Sequence, residues 1–437
     1  MLTRFAPSPT GYIHIGNVRT ALMCYLYAKK SGGKFMLRID DTDVERSKEE
    51  FVTAIRADLA WLGLNPDVEM RQSARFARYA EVVEDLKKKG RIYECFETAE
   101  ELEFKRKIQL GRGLPPVYDR SSLKLSADDK QKFLNEGRKP HLRFQLDSTE
   151  IEWDDEIRGH IKMNPSHMSD PIVIRENGEY TYMLPSTVDD VDMKVTNIIR
   201  GEDHISNTAI QIQIFKAMGA EVPKFAHSSL IKTKEGKLSK REGKGAVAEL
   251  REMGIQPMAI NSFLARIGTS DSVKLMNNLE ELVAGFDINK FSKSPTMYDV
   301  EDIFRLNTQA LHEIEFSEVK NKLPAGMTEE FWNVVRLNVE NFDDASLWWR
   351  ICHEGINADI SAEDKDYLKT ASTLLPAALD EKAWDVWVNE LKAKSGRKGK
   401  ALFMPLRIAL TGMEHGPELR DLLPLLGRDK ILQRLAA

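Results

Sequence analysis

Arg4-Phe5-Ala6-Pro7-Ser8-Pro9-Thr10-Gly11, followed closely by His14-Ile15-Gly16-Asn17, is the stretch that decides the fold. Leu2 to Phe5 is a short strand-like run, and the prolines and Gly11 that follow make a loop. Val18, Ala21, Leu22, Tyr25 and Leu26 then recur at helical spacing as far as Lys30. Gly32-Gly33 stops that helix. Phe35, Leu37 and Ile39 alternate as a second strand, which ends in Asp40-Asp41-Thr42-Asp43. Ser47 with Glu50 predicts a capping box opening a helix carried by Phe51, Ile55, Leu59 and Leu62, and Phe76, Tyr79, Val83 and Leu86 mark the next one. Strand–helix–strand–helix order predicts an α/β fold with a parallel sheet and ligands at the carboxyl ends of its strands.

Outward from there, 437 residues exceed one ordinary hydrophobic core, so several domains are expected. Hydrophobic residues make up 42% and charged residues 30%, a globular composition with no apolar run long enough for a membrane span. The start of the chain lacks the basic and apolar regions of a signal peptide. Cys24, Cys95 and Cys352 are far apart, which suggests neither a disulfide framework nor paired metal ligands and fits a reducing cytoplasm. A net charge of −5 gives no global attraction to nucleic acid, although local basic patches still count.

From residue 98 to 171 the pattern changes to a helix, a polar segment and short strands such as 141–146, which reads as an α+β insertion. Asn177-Gly178 between 172–175 and 179–184 is a hairpin signal. Strand 195–200, helix 206–218 and strand 226–231 resume the alternation. Helical patterns dominate from about residue 300, with Pro295 at a plausible junction. The expected segments are therefore 1–97, 98–171, 172–245, 246–299 and an all-α region, 300–437.

Two loops carry chemistry. His14 and Asn17 stand where the first helix begins and Gly16 lets a ligand approach the backbone; a helix N-terminus suits phosphate. Alone, the tetrapeptide reads as an N-cap and a surface histidine. The second loop, Lys232-Thr233-Lys234-Glu235-Gly236-Lys237-Leu238-Ser239-Lys240-Arg241, reads alone as a solvated charged face. Its functional reading is a cationic clamp on a polyphosphate, a role that suits the flexible point charge of lysine.

Together these stretches, with Arg38-Ile39-Asp40-Asp41-Thr42-Asp43 and Arg200-Gly201-Glu202-Asp203-His204, arrive in an order and spacing that resembles the class I glutamyl-tRNA synthetases. The tail from Leu402 to Gly412 resembles that family's anticodon-binding end, so the resemblance covers nearly the whole chain. It implies a Rossmann-type catalytic domain in two halves, an acceptor-binding insertion at 98–171, a stem-contact region at 246–299 and a helical anticodon-binding domain. The implied reaction joins L-glutamate to ATP, giving glutamyl-adenylate, and then passes the glutamyl group to the 2′-hydroxyl of the terminal adenosine of tRNA-Glu, of tRNA-Gln or of both. ATP enters as a substrate with Mg²⁺, and the family's first step normally needs bound tRNA.

Carried over position by position, the resemblance implies a glutamate pocket of Arg4, Ala6, Ser8, Asp40, Tyr182, Ser186 and Arg200. Arg4 would hold the side-chain carboxylate bidentately, leaving neutral glutamine poorly matched. Asp40 stands where the commonest motif has Glu, one methylene longer. The implied ATP contacts are His14, Gly16, Asn17, Asp203, Ile231, Lys237, Ser239 and Lys240, and the implied catalytic groups are His14, Lys237 and Lys240. Zinc-binding versions of the insertion use closely spaced cysteines; Cys95 has no such neighbour, so neither zinc nor any other protein-held metal is expected. Lys392, Lys394, Arg397, Lys398 and Lys400 read equally as a tRNA contact and as a flexible charged loop, whereas Trp348-Trp349 reads as core. A cytoplasmic monomer with no membrane contact is expected. Glutaminyl-tRNA synthetase is the rival within the enzyme class, disfavoured by the Ala6–Gly11 loop and the helical tail. The rival from another class is an inactive tRNA-binding paralogue, disfavoured by His14, Lys237 and Lys240.

Overall fold

The computed structural model describes residues 1–233, 236–237 and 246–436. The chain forms two compact units: Met1–Glu252 with Ile260–Val300, and Met253–Ala259 with the chain from Glu301 onward.

The first unit opens with β1 (Leu2–Phe5), α1 (Ile15–Lys30), β2 (Lys34–Ile39), α2 (Glu49–Trp61), β3 (Val68–Arg71) and α3 (Phe76–Lys88), the alternation expected from the sequence. Next come β4 (Ile92–Cys95), α4 (Ala99–Gly111), α5 (Ala127–Asn135), β5 (His141–Phe144), β6 (Ile151–Asp155), β7 (Gly159–Met163) and β8 (Ile172–Ile174). The second half supplies α6 (Met183–Asp192), β9 (Asn197–Gly201), α7 (Ile205–Met218) and β10 (Lys224–Ser228). The main sheet runs β3-β2-β1-β9-β10-β6-β7. Every pairing in it is parallel except β6 with β7. The chain leaves β1 on one side towards β2 and β3 and returns on the other as β9. Strand order therefore reverses at β1/β9, which is where open α/β sheets bind ligands.

Three local expectations change. Residues 151–163, expected within the insertion, extend the main sheet: Ile151, Trp153 and Asp155 are buried while Glu152 and Asp154 face out, so one face of β6 packs onto the core. The Ser47/Glu50 capping box does not form. Lys48 is the N-cap of α2 with no side-chain cap bond, because backbone bonds Ser47 N to Asp43 O (3.0 Å) and Lys48 N to Pro9 O (3.1 Å) fix the chain there instead. Asn177-Gly178 does turn the chain, with Gly178 at φ 88° and Arg175 N bonded to Glu179 O at 2.9 Å. The returning arm, however, pairs only by the Ile174–Tyr180 bridge before α6 begins.

β5 of the expected insertion forms a separate antiparallel sheet with β4 and β8, which flank the 98–171 bounds on either side. Beside it Glu97 accepts hydrogen bonds from Tyr118 Oη (2.9 Å), Ser121 Oγ (2.7 Å) and Ser122 Oγ (2.6 Å), and Lys105 Nζ lies 3.3 Å away. Cys95 is buried, with its Sγ 3.6 Å from the Tyr118 hydroxyl oxygen. Burial would raise the Glu97 carboxyl, but these donors outweigh it and hold it down at about 2. A depressed folded-state value means stability that is present above pH ~4.5 and lost as pH falls towards 2. Glu97→Gln is therefore expected to cost about 1–2 kcal/mol at pH 7, solvent screening included, and progressively less in acid, as read from urea unfolding at several pH values.

The second unit is helical among its described residues, around a core that includes Trp332, Trp348, Trp387, Leu406 and Leu423. Trp348 is core, and Trp349 stacks on His353 with ring centroids 3.6 Å apart. Within the basic cluster Arg397 is tied down, its Nη1 2.5 Å from Asp364 Oδ1 and its guanidinium 4.4 Å over the Tyr367 ring. No described helix is long and apolar enough to cross a membrane.

Candidate active site

A cleft of about 470 Å³ opens at the carboxyl ends of β1, β9 and β10. Each strand end contributes a loop, because a parallel strand must leave the sheet on that side. β1 delivers Arg4, then Ala6, Pro7 and Ser8, and leads to His14, Gly16 and Asn17. β9 delivers Arg200, Gly201, Asp203 and His204. β10 delivers Ser228, Ser229, Leu230 and Ile231, and Tyr182 comes from the start of α6. The proline loop is held against the end of β2 by Asp40 N bonding to Pro7 O at 3.0 Å.

His14, not Asn17, is the N-cap of α1. Its Nδ1 accepts from Gly16 N (3.0 Å) and Asn17 N (3.4 Å), while the Asn17 side chain accepts from His14 N (3.2 Å). Two N–H groups of the helix N-terminus are thus committed to the histidine itself. With Nδ1 an acceptor, the neutral ring carries its proton on Nε2. Gly16 is required by this arrangement, since a Cβ there would sit 2.9 Å from His14 Cε1.

The arginines at the cleft differ in how they are held. Arg4 Nε donates to Asp190 Oδ1 at 3.1 Å, and its two terminal nitrogens have no hydrogen-bond partner among the described residues. The same Asp190 oxygen takes Arg38 Nη1 at 2.8 Å, and Asp190 Oδ2 is buried without a partner. Among the described residues Arg200 hydrogen-bonds only neutral groups: Tyr182 Oη (2.9 Å), Thr208 Oγ1 (2.5 Å) and His227 Nε2 (3.3 Å). Burial pushes the Arg200 guanidinium below its ordinary pKa. Arg19, which lines the cleft from α1, donates to Ser229 O (2.9 Å) and Ile267 O (3.1 Å); burial lowers it to about 10. Among the described residues that line the cleft, Asp203 is the one that bears a carboxylate.

Two expected glutamate contacts do not reach this wall. Asp40 accepts from Arg38 Nε (2.6 Å) and Nη2 (3.1 Å), and Ser186 Oγ accepts from Arg38 Nη2 (3.0 Å), all buried behind the cleft. The physical reason is β2: every residue of it after Lys34 is buried, so Arg38 must find its acceptors inside the protein. Sequence reasoning missed Arg19, Arg38, Asp190 and Thr208. An arginine inside the apolar stripe of α1 was the one available signal; Arg38 and Asp190 meet across 152 residues, and Thr208 reaches Arg200 only because α7 packs against β9.

The lysine loop leaves the described residues beside the cleft. β11 (Ile231–Thr233) pairs antiparallel with β12 (Gly236–Lys237) and parallel with β13 (Thr296–Met297). The chain re-enters at Ala246, which bridges His14, with Val247 N bonded to Ile13 O at 3.2 Å. Ser239 and Lys240 lie outside the described residues, and Lys237 is described by its strand pairing alone. Among the described residues no cluster of three or more His, Cys, Asp or Glu could hold a metal ion.

Comparison with known proteins agrees with this geometry. Residues 1–305 match the family described as tRNA synthetases class I (E and Q), catalytic domain, and residues 353–437 match an anticodon binding domain. The chain is 49% identical over 440 residues to glutamate–tRNA ligase 2 of Ehrlichia canis, covering 100% of this chain and 99% of that one. It is 51% identical over 441 residues to glutamate–tRNA ligase 1 of Rickettsia bellii, covering 100% and 99%. Among solved structures, a glutamate tRNA ligase from Elizabethkingia meningosepticum in complex with its amino acid superposes with a TM-score of 0.88 at 28% identity, covering 100% of this chain and 98% of that one.

Proposed function

Because the chain belongs to the class I glutamyl-tRNA synthetases, we propose that the cleft at the β1/β9 switch point binds glutamate and ATP side by side. The enzyme is a glutamate–tRNA ligase: it activates L-glutamate with ATP and esterifies tRNA. What supports the placement is the pairing at one cleft of two arginines that no described carboxylate saturates with a helix N-terminus capped by histidine.

Arg4 takes the side-chain carboxylate of glutamate on its two unengaged nitrogens, and Arg200 with Tyr182 holds the amino acid from the other side. Ala6 and Ser8 line the pocket next to Arg4. Asp40 and Ser186 act from behind, through Arg38 and Asp190. The nucleotide lies along Gly16, Asn17, Asp203 and Ile231. Mg²⁺ arrives with the nucleotide as part of the substrate; Asp203 is the carboxylate that the described cleft lining offers. As the glutamate α-carboxylate attacks the α-phosphorus, negative charge grows on the phosphate oxygens and on the departing pyrophosphate. His14 Nε2–H, Lys237, Ser239 and Lys240 supply donors and charge there. No covalent enzyme intermediate is required. Residues 98–171 would receive the acceptor end of tRNA, 246–299 the stem and the helical unit the anticodon, in a cytoplasmic monomer.

The deciding experiment charges separate tRNA-Glu and tRNA-Gln transcripts with labelled glutamate. Charging of tRNA-Glu is expected, and charging of tRNA-Gln as well would widen its duty. Failure with both, alongside intact ATP and tRNA binding, would make the chain a tRNA-binding module instead. Lys240→Ala is expected to lower the single-turnover rate about 100-fold with tRNA affinity nearly unchanged. A wild-type rate would remove Lys240 from the chemistry.

A further inference from the structure

Arg200 is buried and cationic, yet everything it touches among the described residues is neutral. Of its five N–H donors, Nε goes to His227 Nε2, one Nη1 proton to the Tyr182 hydroxyl and one Nη2 proton to the Thr208 hydroxyl. The acceptor role of His227 Nε2 fixes the tautomer, so the ring proton is on Nδ1. Nδ1 lies 2.5 Å from Asp155 Oδ2, in a pair with both side chains fully buried. Asp155 is itself pinned, its Oδ1 taking the backbone N–H groups of Ile157 (3.1 Å), Arg158 (2.9 Å) and His227 (3.1 Å). Phe225 stacks on the imidazole with planes 13° apart and also underlies the Arg200 guanidinium at 5.7 Å. Four elements converge on this ladder: β6 and the turn after it, β9, α7 and β10.

We propose that Asp155 and His227 are positioning residues for glutamate recognition, a carboxylate–imidazole pair that orients Arg200 towards the cleft while the neutral ring keeps the carboxylate from neutralising it. This rests on the reading that Arg200 binds glutamate. An arginine held directly by a carboxylate would have to share its charge between that partner and the substrate. An imidazole between them transmits orientation through two hydrogen bonds and keeps the charges apart. Thr208 completes the logic. Its hydroxyl accepts from Arg200 Nη2 and lies 2.8 Å from His227 Nε2 and 3.2 Å from His204 O, so it can donate to either. A proton on Nε2 would face the Arg200 Nε–H. The charged and titratable groups around the ring are Asp155, Arg158, Arg200 and His204, and burial reinforced by Arg200 holds the imidazole below its ordinary pKa against the pull of Asp155. The ring is thereby kept neutral and accepting.

The test inverts the tautomer without removing bulk. Asp155→Asn keeps the shape but offers an N–H to Nδ1, which drives the proton to Nε2 against Arg200. In steady-state charging of tRNA-Glu, the expected result is a glutamate KM raised at least about 10-fold, the loss of one charge-assisted hydrogen bond, with ATP and tRNA KM within about twofold of wild type. His227→Asn, which can replace only Nδ1, should behave in the same way. His227→Gln, whose amide oxygen can reach Arg200, should restore glutamate KM to within about threefold. NMR of protein labelled at its nine histidines, with His227→Gln used for assignment, should show the Nδ1–H tautomer in wild type and the Nε2–H tautomer in Asp155→Asn. Arg200→Gln separates the two levels of the argument. If it leaves glutamate KM unchanged, the glutamate-binding reading of Arg200 is wrong. If it raises glutamate KM while Asp155→Asn does not, or if wild-type His227 carries its proton on Nε2, the positioning proposal is overturned.

Discussion

Arg4→Gln is expected to lower kcat/KM for glutamate by about 100–1000-fold, the cost of removing one partner from a buried charge pair, while tRNA affinity stays within about twofold. The guanidinium has one end anchored on Asp190 and both terminal nitrogens unengaged among the described residues. That leaves a fork matched to a carboxylate, and a neutral amide can neither attract the substrate charge nor present two parallel N–H groups. The fold should survive the change, because Asp190 keeps its 2.8 Å bond to Arg38 and so is not left unpaired. The discrimination of glutamate from glutamine should shrink together with the affinity. The measurement is charging of tRNA-Glu over a range of glutamate concentrations with glutamine as competitor. An unchanged glutamate KM would place the side-chain carboxylate elsewhere in the cleft.

Arg38→Met is expected to do the opposite, damaging stability first. Arg38 is fully buried, binds Asp40 through two nitrogens at 2.6 and 3.1 Å, and shares Asp190 with Arg4. Removing it leaves the Asp40 carboxylate without its donor in a dry interior, with Ser186 Oγ keeping only Gln211 Nε2 at 3.4 Å, which costs about 3–5 kcal/mol. The reading is a lower urea midpoint with unchanged slope. The penalty should depend on pH in a definite sense. Burial lifts the Asp40 carboxyl to about 6, against the pull of Arg38. A raised folded-state value gives a contribution that is complete below the ordinary carboxylate range and is lost as pH rises through about 6. Without Arg38 the carboxyl rises further, so the variant should be penalised more at pH 8 than at pH 5. Arg38→Met with Asp40→Asn should recover part of the loss. A midpoint equal to wild type at pH 8 would show that the buried network contributes nothing to stability.

The same network explains why some of the candidate site was legible and some was not. Arg4, Ala6, Ser8, His14, Gly16, Asn17, Tyr182, Arg200, Asp203 and Ile231 all line one cleft, because each lies at a strand end or helix start that local sequence signals locate. His14 and Asn17 exchanged roles, since which of two neighbouring polar side chains becomes the N-cap depends on the path of the proline loop. The hairpin 151–163 was read as part of an insertion because an alternating strand looks the same at the edge of a large sheet as in a small one.

By itself the sequence determined the strand–helix alternation, the proline loop that leads into α1 and the helical tail, since each follows from periodicity, turn residues and spacing that act over a few residues. Tertiary structure alone decided which charged side chains line the cleft. Asp40 turns inward because β2 is buried along its length and Arg38 is its neighbour two residues away, with Asp190 and Ser186 arriving from about 150 residues along the chain. Arg200 stays available because the start of α6, α7 and β10 surround it with hydroxyls, a histidine and an aromatic ring, and among the described residues with no hydrogen-bonded carboxylate. An ion's partner in a low-dielectric interior is set by whatever packing brings within about 3 Å, and no local pattern encodes that.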